Sequence, residues 1–140
     1  EWALGLAFDA PNHGVIGAAD LANCVPSAWE TLGFGFSPSL QQINFHSNCV
    51  AIWLALSENA EVPDVVYQDI AQSWLIWRKS EQSHFRSCSM EEASAIEALC
   101  AGKSFAAVCA EQAEMSNPNQ IAGWLQGWLA EAMVASLDYV

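Results

Sequence analysis

Apolar positions in the second half of the chain follow the helical period. Ala93, Ile96, Leu99 and Cys100 recur at three–four spacing, the buried stripe of an amphipathic helix. Ser89-Met90-Glu91-Glu92 precedes that stripe with capping-box spacing: the Ser89 hydroxyl accepts from the Glu92 amide while Glu92 reaches back. Gly102 ends the helix. Ser104 caps a short helix with Phe105, Val108 and Cys109 on one side, and Asn117-Pro118 opens the last one, with Pro at its first position. There Ile121, Trp124, Leu125, Trp128, Leu129, Ala132 and Met133 form one continuous stripe. Ahead of these helices, Trp74–Arg78 and His84–Cys88 read as strands, and the polar stretch Lys79–Ser83 joins them as a hairpin. Trp74 and Trp77 then point to opposite faces. A one-sided core takes at most one of them and leaves the other to a contact surface.

The first half is more broken. Glu1–Phe8 reads as the tail of a helix, stopped by Pro11. Ala18–Cys24 and Ser27–Leu32 read as short helices on either side of Pro26, with Ser27 as N-cap of the second. Gly33–Phe36 and Leu40–Phe45 alternate with period two and predict short strands, and Asn48 opens a helix through Val50, Trp53, Leu54 and Leu56. Glu61-Val62-Pro63-Asp64 has linker composition. The expected class is therefore α+β, in two parts. Residues 1–63 form a helical segment with short strands, the remainder of a truncated central region. Residues 64–140 form a winged-helix-like domain, a β-hairpin plus three helices, permuted so that the hairpin comes first.

Composition narrows the function. Hydrophobic residues make 53% of the 140, and charged ones 14%, the reverse of a disordered chain. Four basic residues against sixteen acidic ones give a net charge of −12. Duplex DNA and anionic membranes both need clustered Lys and Arg, which Arg78, Lys79, Arg86 and Lys103 do not supply. The longest apolar run, Cys49–Leu56, falls short of a membrane span. The chain opens on Glu1, with no Met and no basic start, as expected of a processed product or a piece of a longer protein. Five cysteines, an odd number without a CxxC pair, predict small buried hydrophobes in a reducing, cytoplasmic compartment.

No catalytic constellation is visible. His13, His46 and His84 stand in separate elements, with no HxxxH, HExxH or Cys/His cluster. Gly33-x-Gly35 meets Pro38 where a dinucleotide fingerprint needs its third glycine. There is no P-loop and no GxSxG. Paired carboxylates at Glu91-Glu92 and at Glu111 and Glu114 read as helix-start charges and a solvated face. What the pattern does offer is the hairpin: its edge can accept an extended peptide as an added strand, without any need for positive charge. An acidic surface steers a basic partner toward it.

Trp74-Leu-Ile-Trp-Arg78, Phe85-Arg-Ser, Ser89-x-x-Glu92-Ala93, Ala98-Leu99-x-x-Gly102-x-Ser104-Phe105-Ala106-x-Val108-Cys109 and the closing Gly127-Trp128-Leu129-Ala130 together resemble the HvfC/BufC family. Glu1-Trp2-Ala3 with Phe8-Asp9-Ala10 is similar to that family's central helix. The resemblance runs in pieces over nearly the whole chain, and the family carries a further N-terminal helical domain. It implies a partner role. Such proteins associate with a TIM-barrel multinuclear iron oxygenase that converts cysteines of a ribosomally made precursor peptide into copper-binding heterocycles. The subunit of this type helps to bind the leader of the precursor by strand addition. The iron and the chemistry belong to the barrel, so no cofactor and no catalytic residue is expected in this chain.

On that reading the candidate peptide site is the hairpin: Trp77, His84, Phe85, Arg86 and Cys88. The strand His84–Cys88 presents its edge, Arg86 holds an acidic leader residue, and Phe85 or Trp77 fills a side-chain pocket. Alanine at Arg86 is then expected to weaken binding with little effect on melting temperature. Leu40–Phe45 is equally eligible as the free edge, because strand order is not written in the sequence. Members of the family are often described as DNA-binding, and the alternative function is a DNA-binding regulator. The last helix offers Asn117, Asn119, Gln120 and Gln126 for base edges but no basic residue.

Overall fold

The computed structural model, which describes residues 1–114 and 116–140, follows the chain through α1 (Trp2–Asp9), α2 (Ala18–Ala22), a 3-10 turn (Pro26–Glu30), β1 (Leu32–Phe36), β2 (Gln41–Ser47), α3 (Cys49–Ser57), β3 (Tyr67–Lys79), β4 (Gln82–Cys88), α4 (Met90–Cys100), α5 (Phe105–Gln112), α6 (Pro118–Ala130) and β5 (Val134–Tyr139). The class is α+β. Two small antiparallel sheets are present, one of β1 and β5, the other ordered β2-β3-β4 with β3 central.

Local chemistry sets the helix starts. Ser89, Ser104 and Asn117 each accept a hydrogen bond from the amide three residues on, at 3.1, 3.3 and 2.8 Å. Each satisfies an amide that the first turn leaves without a partner. The expected second half of the box at Ser89 is absent. The Glu92 carboxylate turns inward to Arg86 and Trp128 instead of back along the helix. Ser27 is not a cap either, because the 3-10 turn begins at Pro26 after Val25 with no side-chain cap.

The strands depart further from expectation. β3 begins at Tyr67, seven residues before Trp74. Its first residues, 67–72, are mostly exposed, mix Tyr67 and Ile70 with polar side chains and show no alternation to read, and they pair with β2 across a register shift. The hairpin between β3 and β4 closes on Lys79 opposite Gln82, so the turn is only Ser80-Glu81, with φ of 50° and 62°. Two positive φ values match the twist that two-residue hairpin turns require. At the other end α6 stops at Ala130, not at Met133, and the chain returns as β5, a strand the sequence reading lacked.

One core joins residues from both halves. Leu32, Phe34, Leu75, Trp77, Ile96, Leu99, Trp128 and Val134 all belong to it. Trp128 is fully buried at its centre, stacked edge-on against Phe36 at 5.5 Å. Burying such side chains contributes roughly 1.5–3 kcal/mol each. Pairing also crosses between the stretches 1–63 and 64–140, since β1 pairs with β5 and β2 with β3. A second, smaller cluster of Ala3, Ala7 and Ile76 lies on the other face of the three-stranded sheet. α1 is tied down there by its backbone: Gln41 donates to the Ala3 carbonyl at 3.0 Å, Ser83 to Leu4 at 2.8 Å and Arg78 to Phe8 at 2.6 Å. Trp77 thus enters the main core, while Trp74 is half-buried against Phe85 on the opposite face.

Among the described residues, no helix is long and apolar enough to cross a membrane.

Candidate functional site

β4 is an edge strand, paired with β3 on one side only, and β2 is the other edge of the same sheet. Register fixes where its side chains go. His84, Arg86 and Cys88 stand opposite Trp77, Leu75 and Ser73 and share their face, whereas Phe85 stands opposite Ile76 on the other. The five residues expected at one site are therefore divided by the sheet. By register Trp77, His84, Arg86 and Cys88 share one face and Phe85 takes the other, though Phe85 also borders the groove that Trp77, His84 and Arg86 line.

The grouped residues are mostly engaged with the protein itself. Trp77 is 3% exposed and stacks on half-buried His84 with ring centroids 5.7 Å apart. Cys88 lies in the core, and burial, with Glu92 behind it, pushes its thiol up to about 11. It is no nucleophile at neutral pH. Arg86 grips Glu92 through both guanidinium nitrogens, at 2.5 and 3.0 Å. The same carboxylate accepts from the Trp128 indole at 2.9 Å. Hydrogen bonding to Glu92 holds the Arg86 guanidinium above its usual pKa, against the opposing effect of burial. Arg86, expected to hold an acidic leader residue, has its fork on a buried partner from α4.

A groove of 530 Å3 stays open between this part of the sheet and α6, lined by Trp77, His84, Phe85, Arg86 and Glu92 on one side and Gly123, Trp124, Gly127 and Glu131 on the other. A Cβ placed on Gly123 or Gly127 meets nothing within 4 Å. The two glycines are one turn apart, so the helix presents bare backbone to the groove. The indole N–H of Trp77 is buried and has no hydrogen-bond partner among the described residues. Glu131, near Lys79 at 3.7 Å, marks one end with charge. The α6 wall was not among the expected site residues. Its signal was the spacing Gly123-x-x-x-Gly127 inside a helix, where each glycine costs about 1 kcal/mol relative to alanine and so asks for a reason.

No described group of three His, Cys, Asp or Glu side chains is placed to hold a metal ion, and all five cysteines are free thiols. The Gly33-x-Gly35 pair belongs to β1, where Gly35 makes room for the Ser136 side chain of β5. Comparison with protein-family profiles, with characterised proteins and with solved structures gives no match.

Proposed function

We propose that this chain is a non-catalytic peptide-recognition subunit. Its ligand is a segment of precursor peptide that adds as a strand to β4. On the family resemblance, it serves a TIM-barrel multinuclear iron oxygenase that modifies cysteines of that peptide, in the cytoplasm. The hairpin with α4, α5 and α6 is then the winged-helix-like recognition unit. The observation that carries the reading is that β4 is an edge strand and borders the glycine-lined groove. An extended peptide gains main-chain hydrogen bonds along such an edge, and the groove takes its alternate side chains.

The DNA-binding alternative has little support. Besides the charge of −12, all four basic side chains are engaged within the protein. Arg78 donates to the carbonyls of Phe8 and Pro11 and to Asn12, Lys79 pairs with Glu131, Arg86 with Glu92 and Lys103 with Glu111. None is left to neutralise phosphate.

The test begins with affinity purification from native cells, followed by mass spectrometry and iron analysis. Recovery of an iron-loaded TIM-barrel protein and a cysteine-bearing peptide is expected. Nucleic acid retained through moderate salt, without such a protein, refutes the reading. The recovered peptide is then titrated against Gly127→Ala and Gly127→Leu. Alanine should stabilise the helix by about 1 kcal/mol, and leucine should block the groove and weaken binding at least tenfold with the fold intact. Undiminished binding to the leucine variant would move the peptide to another edge.

A further inference from the structure

α3 is apolar on every side, Cys49-Val-Ala-Ile-Trp-Leu-Ala-Leu-Ser57, yet none of its residues is buried. A helix hydrophobic all round is ordinarily covered all round. Between α3, α1 and the second face of the sheet lies a pocket of 220 Å3, walled by Phe45, Val50, Trp53, Trp74, Ile76 and Phe85. The rings stand apart as walls and do not collapse into the space. Phe85 is edge-on to Trp53 at 5.6 Å and tilted against Trp74 at 6.0 Å. Glu1 and Cys49 are the only polar residues in the lining.

The pocket opens to solvent beside a helix with no buried residue, and an apolar concavity walled by aromatic rings at a protein surface marks a binding site. We propose that the pocket is a binding site for one uncharged, ring-sized apolar group. Edge-to-face contact with four aromatic walls favours an aromatic ring over an aliphatic one, and Glu1 disfavours an anion. The group arrives as a free small molecule or as a side chain of a bound peptide, and the chemistry recognised is the same. The pocket and the α6 groove lie on opposite faces of the sheet, so this inference does not rest on peptide addition at β4.

Toluene is the probe. It should raise the melting temperature by about 4 °C at about tenfold its dissociation constant. Its methyl group should also give nuclear Overhauser contacts to the indole protons of Trp53 and Trp74. Val50→Trp, which fills the pocket from α3, should abolish both effects, while Gly127→Leu, on the other face, should leave both intact. Should Val50→Trp fail to fold, the contacts in the unsubstituted protein decide alone. No contact to either indole up to the solubility limit of toluene overturns the proposal, as does a thermal shift with contacts confined elsewhere. Displacement of bound toluene by a β4-binding peptide identifies the natural group as a side chain. Simultaneous binding of peptide and toluene identifies it as a free molecule.

Discussion

At the scale of single residues, Glu92 carries the most consequence. It is 4% exposed, accepts from Arg86 with both oxygens and ties the Trp128 indole into the core. A buried carboxylate that loses its cation is strongly destabilising. Arg86→Ala should therefore lower stability by about 2–3 kcal/mol, below the range for a fully enclosed pair because the Arg86 side chain is 34% exposed. Urea denaturation measures this directly, and an unchanged midpoint would mean that water replaces the guanidinium without penalty. The sequence pointed the other way, to a binding residue that could be removed quietly, because nothing in Arg86-Ser-Cys-Ser-Met-Glu-Glu92 announces an ion pair across a strand–helix junction. Cys88, beside it, gives a pH dependence. Its thiol, raised from an ordinary value near 9 to about 11, keeps its proton in the folded state where the unfolded chain has lost it. The contribution is constant below about pH 9 and falls between the two values by about 1.4 kcal/mol per pH unit. Stability measured from neutral to alkaline pH should decline less steeply in Cys88→Ala, and equal slopes would contradict the assignment.

At the scale of elements, three helices end in the same way with three different residues. After α3, α4 and α6 the chain turns through positive φ at Asn59, Gly102 and Ala132, with φ of 52°, 89° and 55°. In each case the next amide reaches back to a carbonyl of the last turn, Ala60 to Ala55 at 2.8 Å, Lys103 to Ala98 at 3.1 Å and Met133 to Trp128 at 2.9 Å. Glycine adopts this conformation freely, asparagine tolerates it, and alanine is strained there by about 1–2 kcal/mol. Ala132→Gly should accordingly stabilise the protein by about 1 kcal/mol, read as a rise in denaturation midpoint, and a fall would show that Ala132 is held by contacts of its own. The same motif explains what the sequence made legible. Gly102 punctuates α4 visibly. Ala132 punctuates nothing, so the apolar stripe of α6 runs on to Met133 and β5 disappears behind it. The alternation Val134-Ala-Ser-Leu-Asp-Tyr139 was the remaining clue to that strand. Its partner, β1, lies about a hundred residues away in sequence, beyond the reach of any local pattern.

At the scale of the molecule, half of the candidate site was readable and half was not. A hairpin that brings Trp77, His84 and Arg86 together follows from strands and turn alone. That α6 borders the same groove as the hairpin, with Gly123 and Gly127 in its lining, depends on packing around Trp128 that no short window of sequence encodes. The internal engagement of all four cations reaches beyond DNA. With each Lys and Arg taken up by a neighbour, the field felt outside the molecule is that of the remaining carboxylates, and it opposes compaction. Simple salt screens that field over a Debye length of about 10 Å at 0.1 M, while the exposed ion pairs it also weakens are worth about 0–1 kcal/mol each. Folding should then strengthen as NaCl rises from about 0.01 to 1 M, visible as a higher urea midpoint. Capture of a basic peptide should slow over the same range as its electrostatic guidance fades. In this protein ionic strength pulls stability and encounter in opposite directions.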